Sequence, residues 1–72
     1  MSLELKYLRA EIVEYIEKCE ARVKKEKEAG NDIRVTIEAA SILSYKHVLT
    51  RVDDYLDQIK LETEIKDLLN DD

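Results

Sequence analysis

The chain has 72 residues, 40% charged and 44% hydrophobic, with one glycine, no proline, one cysteine and a net charge of −5. That length allows one small domain. The single cysteine excludes an internal disulfide, and one histidine beside one cysteine is too little for an ordinary structural zinc site.

Few helix breakers and abundant Glu, Lys, Leu, Ile and Ala indicate long helices, and the apolar share is too high for a chain that stays unfolded. A domain this short buries only ~60% of its unfolded surface. Disulfides, metals and oligomerisation are the usual reinforcements. With a disulfide and an ordinary zinc site excluded, either self-association or exceptionally good helix packing remains, and a homo-oligomer, most simply a dimer, is the expectation. With no Phe or Trp, the core is aliphatic, and Tyr7, Tyr15, Tyr45 and Tyr55 supply its only rings. No apolar run approaches the ~20 residues of a membrane span, and no secretory-leader pattern opens the chain. No membrane partner is therefore expected, and a lone cysteine fits a reducing cytoplasm. The acidic excess sits in the last twelve residues, where Lys66 stands alone against five acids.

The first helix is expected over about residues 3–29. Leu5, Leu8, Ile12, Tyr15 and Cys19 recur at steps of three and four, and Ile16 and Val23 widen that stripe. The other faces carry charge, with Glu14–Lys18 and Glu20–Lys24 placed as favourable i,i+4 pairs. Ser2 is in position for an N-cap, and Glu4 complements the helix dipole. The stripe fades from Lys24 to Glu28, and Gly30 is placed to stop the helix in the left-handed conformation.

A turn over 30–32 leads to a second helix over about 33–60, capped by Asn31 or Asp32. Its first residues are ambiguous, because Ile33, Val35 and Ile37 alternate as in a strand. From Ile42 the pattern is helical: Ile42, Tyr45, Leu49, Val52, Leu56 and Ile59, with Val48 and Tyr55 forming a parallel row. That apolar face is wide enough to contact more than one helix. Ala39, Ala40, Ser41 and Ser44 reflect either helix propensity alone or a close helix crossing.

Both helices would be rods of ~40 Å, and the short link makes them an antiparallel hairpin. Cys19 would then lie near Leu43, Tyr15 near His47 and Leu8 near Asp54, to within one turn. Residues 61–69, with Leu61, Ile65 and the Leu68–Leu69 pair, form a helical tail that either prolongs the second helix or folds back. One hairpin cannot cover the wide face of the second helix. Two hairpins about a two-fold axis can, as a four-helix bundle of coiled-coil type, and the overhanging tail is then a natural element to embrace the partner copy.

Chemistry-bearing residues are few. His47 falls beside the apolar stripe at the surface or its boundary. Cys19 falls on the stripe as a small hydrophobe without an evident thiolate-stabilising neighbour. Di-metal bundles require Glu-x-x-His on two helices, and Ser44 stands three before His47. Asp53, Asp54 and Asp57 form a solvated face opposite Arg9 or Lys6. No catalytic set and no cofactor are expected. Arg22, Lys24, Lys25 and Lys27 form the best basic patch, but Glu26 and Glu28 interrupt it, and the chain is acidic overall.

Three resemblances bear on function. "LKYLRAEIVEYIEKCEARV" is similar to the opening helix of the all-helical chorismate mutases, but the rest of the chain is too short and lacks the basic residues of that site. "SYKHVLTRVDDYLDQI" resembles a helix of the small aspartyl-phosphate phosphatases of sporulating bacteria, whose Ser-Gln-Glu-Leu-Asp motif is absent here. "ASILSYKHVL", Ala40 to Leu49, resembles the second-helix segment of short Glu/Lys-rich helical-hairpin proteins of phages and prophages of Gram-positive bacteria. Those proteins are of unknown function, so the resemblance implies no residue roles. The two apolar stripes, the wide face of the second helix and the absence of a catalytic set point to a non-enzymatic interaction or regulatory protein acting as a helical homodimer. A small nucleic-acid-associated regulator using the Lys-rich tip is the alternative.

Overall fold

The computed structural model describes residues 2–70, with Ser2 described by its backbone alone. Two helices and no strand are present among the described residues: α1, Ser2–Glu28, and α2, Asp32–Leu69. Helix α1 includes Ser2 by its backbone, and the expected Ser2 N-cap side-chain contact lies outside the described residues.

The turn is built as its residues dictate. Asn31 N–H donates to the Glu26 carbonyl at 2.9 Å and Gly30 N–H to that of Lys27 at 3.1 Å, a Schellman closure of α1. Gly30 has φ 75°, the left-handed region that a side chain disfavours. The Asn31 side chain then accepts from Arg34 N at 3.5 Å and caps α2. Between the two candidate caps, Asn31 takes the role and Asp32 becomes the first helical residue.

The strand-like opening of the second segment is helical. Val35 turns toward α1 while Ile33 and Ile37 stay exposed, as helical spacing requires of residues two apart. Thr36, Ser41, Ser44, Thr50 and Thr63 each donate a hydroxyl to the carbonyl four residues back, at 2.9–3.3 Å. Their polar atoms are thereby satisfied within the helix. The tail does not fold back: α2 runs unbroken through 38 residues, against 27 in α1.

The helices are antiparallel, in the expected register. Arg9 Nε meets Asp53 Oδ1 at 2.6 Å, and the Tyr15 and Tyr45 rings stand 4.5 Å apart at 52°. Ile12, Ile16 and Val52 form the buried core, flanked by Cys19 and backed by Ile42, Leu49 and Leu56.

On α1 the seam differs from the sequence expectation. The residues turned to α2 are Leu5, Arg9, Ile12, Ile16, Cys19, Val23 and Glu26, while Leu8 and Tyr15 lie exposed beside them. Arg9 holds a core-facing position because its methylenes cover the seam while its guanidinium reaches Asp53. An apolar count assigns that place to Leu8. On α2, Ile42, Leu49, Val52, Leu56 and Ile59 turn toward α1, whereas Tyr45 of the same expected stripe lies at its exposed edge against Tyr15, and Val48 and Tyr55 are exposed.

Candidate functional site

The hairpin measures 65 × 15 × 14 Å with a radius of gyration of 17.9 Å; a compact chain of 72 residues has about 11 Å. It exposes 6179 Å², against about 4,600 Å² for a compact monomer of its mass. The excess is surface that a single hairpin cannot fold away.

Where the two helices pair, one flank carries a continuous group of exposed apolar side chains. Residues seven apart share a helix side, so Leu8 and Tyr15 lie together on α1, and Val48 and Tyr55 together on α2. The Tyr15–Tyr45 ring contact joins the two helices along this flank. Val48 is 45% exposed and Tyr55 60%. Tyr45 and Val48 also line a shallow depression floored by Ala40, Ser41 and Ser44, where small side chains leave the α2 backbone open to close approach.

The opposite flank is polar. The Arg9–Asp53 pair closes it, and Lys6, Asp57, Lys60 and Glu64 surround the edge of Leu56 and Ile59 near the open end. Leu43 and Tyr7 are exposed apart from the apolar flank and are isolated surface hydrophobes.

Beyond the N-terminus of α1 the tail of α2 stands alone. Register places Ser2 level with about residue 60, so the last turns project by about 15 Å. Leu61, Ile65, Leu68 and Leu69 are all exposed there. The positions that continue the α1-facing seam carry Thr63 and Lys66, so the tail's apolar residues point elsewhere.

The buried cysteine has a basic neighbour that the sequence reading missed, although Arg22 stands three residues on and so on the same helix face. Arg22 Nη2 donates to Cys19 Sγ at 3.2 Å, while Arg22 Nε stands 3.4 Å from Glu38 Oε2. That Glu38 oxygen is shielded from solvent and receives no hydrogen bond, so the guanidinium serves it by charge alone. The hydrogen bond to Cys19 foremost, and then the charge of Glu38, raises the Arg22 pKa. Repulsion from Cys19 is the leading cause of a raised Tyr15 pKa, with Arg22 acting in the other sense. Cys19 itself is 1% exposed, so this cluster holds the seam together rather than opening to a reagent.

Of the tip cations, Arg22 is therefore engaged within the hairpin, while Lys24, Lys25 and Lys27 project to solvent. Of the two expected surface pairs on α1, Glu14 and Lys18 meet at 3.3 Å. His47 is exposed. Among the described residues no three His, Cys, Asp or Glu side chains converge as metal ligands, and no helix is long and apolar enough to cross a membrane. Comparison with protein families, with curated proteins and with solved structures finds no match.

Proposed function

We propose that this protein is a non-enzymatic interaction module that works as a homodimer, two hairpins joining into a four-helix bundle whose polar faces meet a protein partner. One observation carries the reading: the apolar flank of Leu8, Tyr15, Val48 and Tyr55 lies uncovered beside a core of only four buried residues. A core that small leaves a lone hairpin marginal. Covering the flank with a second copy supplies the missing burial. The resemblance of "ASILSYKHVL" to phage and prophage hairpin proteins, themselves of unknown function, supports a phage or prophage origin, and the regulator or adaptor role rests on the uncovered flank. A cytoplasmic location accompanies that reading.

The test is the mass of the full chain in solution at micromolar concentration. A dimer supports the reading, and a stable, fully helical monomer removes it. Binding to DNA or RNA that weakens steeply with salt, and on neutralising Lys24, Lys25 and Lys27, would favour a nucleic-acid regulator instead.

A further inference from the structure

The tail and the apolar flank fit each other on two copies of this chain. Resting on the homodimer reading above, we propose that α2 pairs antiparallel with α2 of a second copy, about a two-fold axis beside Arg51. Each tail then closes over the other hairpin.

The observation is a second row along α2, distinct from the seam facing α1. It steps by three and four through Ile37, Ser41, Ser44, Val48, Arg51 and Tyr55, and onward through Gln58, Glu62 and Ile65. Reversing the row about a point just beyond Arg51 superposes it on itself. Val48 then meets Tyr55 of the second copy, Ser44 meets Gln58, Ser41 meets Glu62, and Ile37 meets Ile65. Apolar residues fall on apolar ones and polar on polar at these four steps, while Arg51, the middle of the row, falls beside Arg51 of the second copy, a like-charge approach that needs an acid nearby. Arg51, near the axis, comes within reach of Asp54 of the second copy, and the two share a surface depression with Tyr55 and Gln58 in the single hairpin.

The shapes agree as well. The depression over Ala40, Ser41 and Ser44 receives the bulkier turn containing Gln58, Leu61 and Glu62. Ile37 and Ile65, 59% and 48% exposed in one hairpin, are covered together. Helix α2 outlasts α1 because its last turns serve the other copy, which explains why Thr63 and Lys66 replace apolar residues on the α1-facing seam. The surface in excess of a compact monomer, roughly 1,600 Å² per copy, exceeds the ~800 Å² that each partner gives to a standard interface.

Cysteine cross-linking reads the register directly. Native Cys19 is 1% exposed and stays out of the exchange. In the full chain, Arg51→Cys is expected to form a covalent dimer with a short bis-maleimide cross-linker, each thiol adding across one maleimide double bond. Ser44→Cys, about two turns from the axis and so ~20 Å from its own copy, is expected not to. Ile65→Lys, in a turn that packs on nothing in the single hairpin, is expected to keep full helicity and weaken dimerisation about tenfold or more. A dimer in which Arg51→Cys fails to link, or Ser44→Cys links, overturns the antiparallel pairing and leaves the homodimer standing. Unchanged affinity in Ile65→Lys overturns the role of the tail. A monomer overturns both.

Discussion

Arg9 and Asp53, 44 positions apart in sequence, meet across the hairpin at 2.6 Å and mark the register of its two helices. Both side chains are about two-fifths exposed, 43% and 41%, so solvent screens the attraction. Arg9→Ala is expected to cost more than Asp53→Asn, because it also strips methylene cover from the seam. The charge pair itself contributes less than about 1 kcal/mol. A double-mutant cycle by urea unfolding measures the difference.

Ile12 and Val52 face each other's helix at the centre of the buried cluster. Replacing either with Asp buries an unpaired charge and is expected to cost several kcal/mol, enough to unfold the chain. Loss of the helical circular-dichroism signal in both variants checks the assignment. Retained helicity and mass would place the core elsewhere.

Val48→Asp separates interface from core. Val48 is exposed in the hairpin, so the charge costs the single hairpin little, but it falls where the second copy packs. The expected outcome is a helical species of one-chain mass, less resistant to denaturant than the parent dimer. Val48→Asp that remains dimeric would move the interface off this flank.

Gly30→Ala probes the turn. A Cβ at this position meets no neighbour within 4 Å, so the cost is that of a side chain at φ 75°. A destabilisation of about 1 kcal/mol is expected, with no change in mass. No change in the denaturation midpoint would mean that the turn relaxes to another conformation.

Tyr15 supplies a pH signature. Its pKa is raised, first by repulsion from Cys19, so the folded state favours the protonated phenol. The corresponding contribution to stability is fully present below about pH 10, the unfolded value, and is lost as pH rises through the raised one. Tyrosinate absorbance is expected to show one late-titrating group, absent from Tyr15→Phe.

Much of the architecture was legible in the residues. Gly30, lacking a side chain, suits the left-handed turn position, and the stepped row from Ile42 to Ile59 has a single helical reading. The cap was open between Asn31 and Asp32, both good N-caps, until the structure placed it on Asn31. Antiparallel pairing followed from the short link, and Tyr15 lands on Tyr45, within a turn of His47, its expected neighbour. The seam on α1 was less legible at Leu8 and Tyr15. Hydrophobic spacing cannot register that Arg9 fits a half-buried position once Asp53 stands opposite. In the Arg22–Cys19–Glu38 cluster the Arg22–Cys19 contact lies at i,i+3 spacing on one helix and was there to be read, whereas Glu38 comes from the other helix and depends on the register. The route of the tail was undecided in sequence because its apolar spacing suits a continuing helix and a returning one equally.

The most direct test of the account is sedimentation equilibrium of the full chain at micromolar concentration, with helicity measured on the same sample. The expected result is a mass twice the 8.4 kDa of one chain, reverting to one chain in Val48→Asp. A fully helical, stable species of single-chain mass would contradict it, for the exposed flank of Leu8, Tyr15, Val48 and Tyr55 would then need no second copy.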